Sequence, residues 1–277
     1  MISSATLQLF KEKIEAAKTI AIFGHENIDG DAIGSMLGLG KLLKKLDKDI
    51  SYFTTLAPAK SFSFVKDINF IQTIFDYADY DILIFTDFTP YRRIHGITWW
   101  HEDYFDSKYK VIIDHHLDEK QRWNLELKDV MSTSNCGLLY EICSTLRPDH
   151  IDAEIATHRY MGLLTDSGNF MYGNQWARDF KVAQWLLEYG ADKDKLIQEL
   201  FYSSPQGVLP ISQHILQRAN VYENVLYTHY TNAELREYGI DDDDTEIALI
   251  LLKSIAWNPV FLRLRYTWEY WSGSLRS

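Results

Sequence analysis

The feature that most restricts the fold is an alternation of two hydrophobic periods over residues 19–116. Short apolar runs rich in β-branched and aromatic residues stand at 19–24 (TIAIFG), 49–55 (DISYFTT), 81–88 (DILIFTDF) and 110–116 (KVIIDHH), and helical patterns such as AIGSMLGLGKLLKKL at 32–46 lie between them. Strands separated by helices are too far apart along the chain to pair as tight hairpins, so they pair in parallel and carry the helices on their faces. The pattern predicts an α/β domain: a mostly parallel sheet with flanking helices.

From about Asn135 to Leu200 the pattern is largely helical. The segments 136–146, 153–168 and 177–192 repeat apolar residues at spacings of three and four, and Gly190 supplies a helix stop. SSPQGVLP at 203–210 carries two prolines and a glycine and reads as a linker. The expected organisation is therefore a first domain over 1–200, a linker over 201–215 and a smaller α+β domain over 216–277. In the last of these, a helix precedes β-rich stretches at 224–231, 246–255, 259–270 and 271–277. The acidic run Asp241 to Asp244 reads as a solvated loop.

Composition narrows the function classes. A hydrophobic content of 46% over 277 residues is ample for a core in each domain, and a net charge of -11 argues against gripping long nucleic acid by neutralising many phosphates. A local basic pocket or a bound metal can still hold a small anion. The two cysteines, Cys136 and Cys143, are seven apart, a spacing that puts both on roughly one face of a helical segment and argues against a disulfide scaffold. There is no apolar run of about 20 residues, and the N-terminal residues read as an amphipathic helix rather than a signal peptide. A soluble cytoplasmic protein without a membrane partner is expected.

In open α/β sheets ligands bind outside the carboxyl ends of the strands. The first run closes on His25 and leads to Asp29 and Asp31, the third ends at Asp87, and the fourth ends at Asp114, His115 and His116. Asp166 sits where a helical pattern gives way to the turn at Gly168. Taken singly, an aspartate at a strand exit is an ordinary turn or cap residue, and Asp31 before AIGSML suits a helix N-cap. Four segments delivering acids and histidines to one sheet edge ask for a common cause. Clustered carboxylates raise one another's pKa unless a cation neutralises them, and a pair of divalent ions about 3.5–4 Å apart is a usual device for phosphate-ester hydrolysis. Oxygen ligands suit Mg²⁺, whereas imidazole tilts the choice to Mn²⁺.

The H-x-x-x-D-x-D pattern at His25, Asp29 and Asp31, the strand-end Asp87, the triplet Asp114-His115-His116 and the T-D-S-G at Asp166 resemble, in order and spacing, the four motifs of the DHH phosphoesterase superfamily. Its leading histidine is similar to the nanoRNase/pAp phosphatase, cyclic-dinucleotide phosphodiesterase and manganese pyrophosphatase branches. The resemblance implies that His25 and Asp29 bind one metal and Asp31 and His115 the other, with Asp87 bridging and Asp166 completing the set. It further implies that His116 contacts the scissile phosphate, that Asp114 supports the histidines, and that the cofactor is two Mn²⁺, with Mg²⁺ as the alternative. In-line attack of metal-activated water on phosphorus would follow. His158, on the helical pattern before Asp166, is expected to be a surface or packing residue.

The downstream stretches resemble the DHH-associated C-terminal domain of the nanoRNase type, in which an arginine near the SLRS position faces substrate. On that likeness Arg276 is a candidate phosphate or base contact. The family continues into a glycine-rich GGGH segment that does not occur in this sequence, so the substrate-binding domain is expected to be partial. Met171 also stands where the family commonly has a basic residue after the phenylalanine. The expected function is a two-metal phosphoesterase acting on short oligoribonucleotides or small nucleotide phosphates such as pAp and pApA, with a homodimer left open. A manganese-dependent inorganic pyrophosphatase and a non-catalytic nucleotide-binding protein are the alternatives.

Overall fold

The computed structural model describes residues 2–87, 102–117, 123–255 and 260–276. The chain divides into two compact units, residues 1–200 and 201–277.

The first unit holds six strands: β1 Thr19–Phe23, β2 Asp49–Phe53, β3 Ile71–Gln72, β4 Ile82–Thr86, β5 Tyr109–Asp114 and β6 Leu125–Lys128. Their order is β3-β2-β1-β4-β5-β6, and every pairing is parallel. The chain winds outward from β1 in one direction and from β4 in the other, so the switch point falls between these two central strands. Their carboxyl ends are where His25 and Asp87 emerge.

Each central strand is buried on both faces, which is why it reads as a nearly continuous apolar run. On one face Ile20, Ile22, Ile84, Val111 and Ile113 pack with the buried residues of helices α1 Ser4–Ala16, α2 Gly30–Lys44, α4 Asn135–Leu146 and α5 Ala153–Asp166. The opposite face is aromatic: Phe23, Phe53, Phe75, Tyr80 and Phe85 cluster with Phe105 of α3 Glu102–Ser107. The rings of Phe23 and Phe85 stack with centroids 4.9 Å apart. Two further helices, α6 Trp176–Glu188 and α7 Lys193–Phe201, complete the unit.

Helices α2 and α5 approach backbone to backbone. A Cβ on Gly34 would lie 2.3 Å from the carbonyl oxygen of His158, and one on Gly162 would lie 2.5 Å from Asp31 Oδ1. These contacts bring the start of α2 against the end of α5, and hence Asp31 towards Asp166.

The second unit comprises α8 Val208–Gln217, β7 Asn220–Tyr222, β8 Val225–Thr231, α9 Asn232–Glu237, α10 Glu246–Ile255, β9 Val260–Tyr266 and β10 Trp271–Arg276. The sheet order is β10-β9-β8-β7, with a parallel β8/β9 pair flanked by antiparallel pairs. Three expectations change here. The expected linker is interrupted at Val208, because Val208, Ile211 and Ile215 recur at helical spacing and enter the core. EIALILLKSI is a helix, not a β-rich stretch: an unbroken apolar run fits either period, and here Ala248, Leu249 and Leu252 are buried while Ile247, Ile250 and Leu251 stay exposed. Asp242 is no mere solvated loop residue, since Tyr230 donates to it at 2.7 Å and Arg265 pairs with it at 2.8 Å.

The Arg276 backbone pairs with Phe261 in the β10–β9 ladder, and its side chain lies outside what the structure describes. Among the described residues no helix is long and apolar enough to cross a membrane.

Candidate metal centre

The site begins at the exit of β1. Helix α2 starts at Gly30, and its N-cap is Asp29, whose Oδ1 accepts from the N–H groups of Asp31 and Ala32 at 3.0 Å each. The cap expected at Asp31 is therefore one step earlier in the alternate-aspartate run. Asp31 instead lies fully buried in the first turn, where its carboxylate accepts from two further backbone donors, Asn135 N at 2.6 Å and Cys136 N at 2.9 Å. These are the free N–H groups that open α4, and they favour a negative charge at this point. Gly162 is required opposite, because any side chain there would strike Asp31.

Asp87 follows the last residue of β4 and has a left-handed backbone, φ +63°. Its N–H donates to Ile113 O at 3.0 Å, which carries the β4–β5 ladder one residue beyond the strand. Such a conformation costs energy for a non-glycine residue, and it persists where surrounding structure holds it.

Asp114 ends β5 and is fully buried. Its Oδ1 accepts from the backbone N–H groups of His115 at 2.9 Å and His116 at 3.2 Å and from His116 Nδ1 at 2.8 Å, while Lys128 Nζ stands 3.4 Å from Oδ2. Burial alone would push this carboxyl up; the His116 hydrogen bonds and the Lys128 charge outweigh it and hold it below the usual range. The His116 ring is fixed at Nδ1 and its side chain is 43% exposed.

Among the described residues, three groups of side chains have ligand atoms within 4.8 Å of one another: His25, Asp29 and Asp87; Asp31, His115 and Asp166; and Asp87, His115 and His116. Asp87 and His115 each belong to two groups, so all seven residues form one continuous cluster. His115 Nε2 lies 3.3 Å from Asp87 Oδ1, 3.3 Å from Asp166 Oδ2 and 3.9 Å from Asp31 Oδ2.

The donor set fits a divalent cation on its own chemistry. His115 Nδ1 donates to Ser132 O at 3.1 Å, since a carbonyl can only accept, and Nε2 is the nitrogen turned towards the carboxylates. That nitrogen is buried and makes no hydrogen bond among the described residues. In the neutral form of the ring a lone pair would face carboxylate oxygens there, which is repulsive unless a cation lies among them. The carboxyls point the same way: burial raises Asp31, and burial with the charges of Asp31 and Asp87 pushes Asp166 up to about 10. Mixed carboxylate and imidazole donors suit Mg²⁺, Mn²⁺ or another first-row ion.

The expected site residues His25, Asp29, Asp31, Asp87, Asp114, His115, His116 and Asp166 thus come together in one place. His158 stays apart: it is buried, and its Nε2 donates to Lys66 O at 3.1 Å. Cys136 and Cys143 are free and buried on α4. Lys128, Ser132 and Asn135 also contact the site, and sequence reasoning missed them. For Asn135 the legible signal was STSN ahead of an apolar helical run, which announces an N-terminus and thus a set of free donors; Lys128 left no signal.

A family model described as "DHH family, N-terminal domain" matches residues 19–163, more than half of the chain. The chain belongs to the DHH family. With that membership it is an enzyme of the metal-dependent phosphoesterase class. Among relatives of this DHH protein, the bifunctional oligoribonuclease and PAP phosphatase NrnA of Thermus thermophilus is 26% identical over 272 residues, covering 98% of this chain and 80% of the relative. The protein of the same name from Bacillus subtilis is 26% identical over 212 residues, covering 74% and 64%. An exopolyphosphatase-related protein from Bacteroides fragilis superimposes with a TM-score of 0.89 at 25% identity, over 100% of this chain and 84% of that one. RecJ of Thermus thermophilus, solved in complex with Mn²⁺, shares the fold at a TM-score of 0.53 and 11% identity, over 99% and 47%.

Proposed function

We propose that this DHH protein is a two-metal phosphoesterase that hydrolyses short oligoribonucleotides or small nucleotide phosphates such as pAp and pApA. The observation that carries the reading is the sharing of Asp87 between the His25–Asp29 group and the His115–His116 group, with His115 in turn shared with Asp31 and Asp166, as expected of a carboxylate between two ions. His25 and Asp29 would hold one ion, Asp31, His115 and Asp166 the other, and Asp87 both. Two divalent cations, Mn²⁺ first and Mg²⁺ as the alternative, supply Lewis-acid activation of water and neutralisation of phosphoryl charge when bound.

The protein's own residues do the rest. Ser132 O fixes the tautomer of His115. Asp114, kept ionised, takes the Nδ1–H of His116, and in the imidazolium form the opposite N–H of that half-exposed ring would donate to a phosphoryl oxygen of the substrate. Arg276 is proposed as a phosphate or base contact through its bidentate guanidinium. The substrate class follows the NrnA relatives and agrees with the net charge of -11, which disfavours long polyanions and leaves a small substrate to be held by bound cations. A cytoplasmic setting, where such fragments arise, is part of the same reading.

The test is a substrate panel with Mn²⁺: pAp, pApA, a trinucleotide and inorganic pyrophosphate. Turnover of the nucleotides is expected, and His115→Ala should abolish it. Preference for pyrophosphate, or no nucleotide turnover by the metal-loaded protein, overturns the assignment.

A further inference from the structure

The two halves of the cluster are carried by different elements, Asp87 by the end of β4 and Asp31 by α2. A hydrogen-bonded bridge between these elements runs through a residue outside the seven. Asn135 is fully buried at the start of α4, and its Nδ2 donates to Thr86 Oγ1 at 2.6 Å and to Ser35 Oγ at 2.9 Å. Thr86 adjoins Asp87, and Ser35 lies one helical turn beyond Asp31 on the same face of α2. The backbone N–H of the same residue holds Asp31 Oδ2 at 2.6 Å.

We propose that the Asn135 side chain is a positioning residue, the cross-tie that sets the separation of the Asp87 and Asp31 sides of the metal centre; the inference rests on the two-metal reading. Two hydroxyls on either side of a planar head ask for two donors on one nitrogen, and a primary amide provides them. Leucine has the shape and no donors, and aspartate has the shape and no N–H. The carboxamide oxygen is itself buried without a hydrogen-bond partner among the described residues. An orphaned acceptor is destabilising, so an amide optimised for stability alone would not be placed this way. Thr86 must also be held still for a second reason, since the next residue has the left-handed backbone at φ +63°.

The experiment titrates the metal-free full chain with Mn²⁺, following free Mn²⁺ by electron paramagnetic resonance, beside steady-state kinetics and thermal melting. Asn135→Leu should keep the first ion, weaken the second by about tenfold or more, and lower kcat similarly with little change in KM. The double variant with Thr86→Val should be no worse than Asn135→Leu, because the bond that Thr86→Val removes is already lost in Asn135→Leu. Asn135→Leu that melts lower yet binds both ions with unchanged kcat overturns the inference and leaves a merely structural asparagine. Should Asn135→Leu not fold, Thr86→Val alone decides: wild-type isotherm and kcat overturn the inference, and a weakened second ion supports it. Wild-type protein that binds fewer than two ions overturns the two-metal reading itself, an outcome distinct from the others.

Discussion

Asp114 and His116 are joined side chain to side chain at 2.8 Å, two residues apart at the end of one strand. The geometry is open to a simple substitution. Asp114→Asn keeps the shape and, with its carbonyl oxygen facing His115 N, His116 N and His116 Nδ1, the same three bonds, but it removes the negative charge beside the ring and turns an N–H₂ towards Lys128 Nζ. We expect kcat to fall about 10–100-fold, with Mn²⁺ affinity falling less than in His115→Ala. Parallel kinetics and Mn²⁺ titration check both parts; unchanged kcat would remove the Asp114 charge from the mechanism.

The acid cluster sets the sign of a pH effect. Asp166 has its folded pKa pushed from 3.8 up to about 10, and Asp31 moves in the same direction. At these two carboxyls the metal-free native state therefore holds protons that the unfolded chain has lost between about pH 4 and pH 10, and their contribution to stability falls as pH rises through that window. Cations reverse this by replacing the protons. The melting temperature of the chelator-treated protein should drop between pH 6 and pH 9, and saturating Mn²⁺ should raise it more at pH 9 than at pH 6. Equal Mn²⁺ stabilisation at both values would contradict the account.

Gly162 is a point where packing and chemistry coincide. A Cβ at this position would stand 2.5 Å from Asp31 Oδ1 and 2.4 Å from Cys136 Sγ. Gly162→Ala should cost about 1–3 kcal/mol by overpacking, and because Asp31 is one of the atoms displaced, Mn²⁺ binding should weaken with it. Calorimetric unfolding and the Mn²⁺ isotherm measure the two separately. A variant that is less stable but binds Mn²⁺ normally would show that the helix contact yields elsewhere.

How much of this was legible in the sequence differs by residue. The parallel sheet was, because period and spacing dictate it, and so was the convergence of His25, Asp87 and Asp114, which follow strands of the same direction. The role of Asp29 was not: two aspartates two apart can each cap a helix, and only the turn between Gly24 and Gly30 decides which does. Helix α10 was misread because a run apolar on every side carries no period. Lys128 could not be read at all, and for Asn135 only the helix start was legible, not its side-chain bonds, since each reaches the site through tertiary contact.

His158 offers a test of stability that does not involve the proposed ligands. Burial lowers its pKa from 6.5 to about 4, against the weaker opposing effect of its bond to Lys66 O, with Lys41, Asp67 and Asp152 also acting on it. The ring is thus neutral in the folded protein at pH 7. Between pH 6.5 and 4 the unfolded chain takes up a proton that the folded one does not, so this residue makes stability fall as pH falls across that window, by at most about 3 kcal/mol. His158→Gln cannot titrate, and its amide can still donate to Lys66 O. The variant should lose part of the acid destabilisation, with unfolding free energies converging on or exceeding wild type near pH 4.5, while its Mn²⁺ isotherm at pH 7.5 stays as in wild type. Urea unfolding at a series of pH values provides the measurement, and a variant with the full wild-type slope would assign the acid sensitivity to other groups.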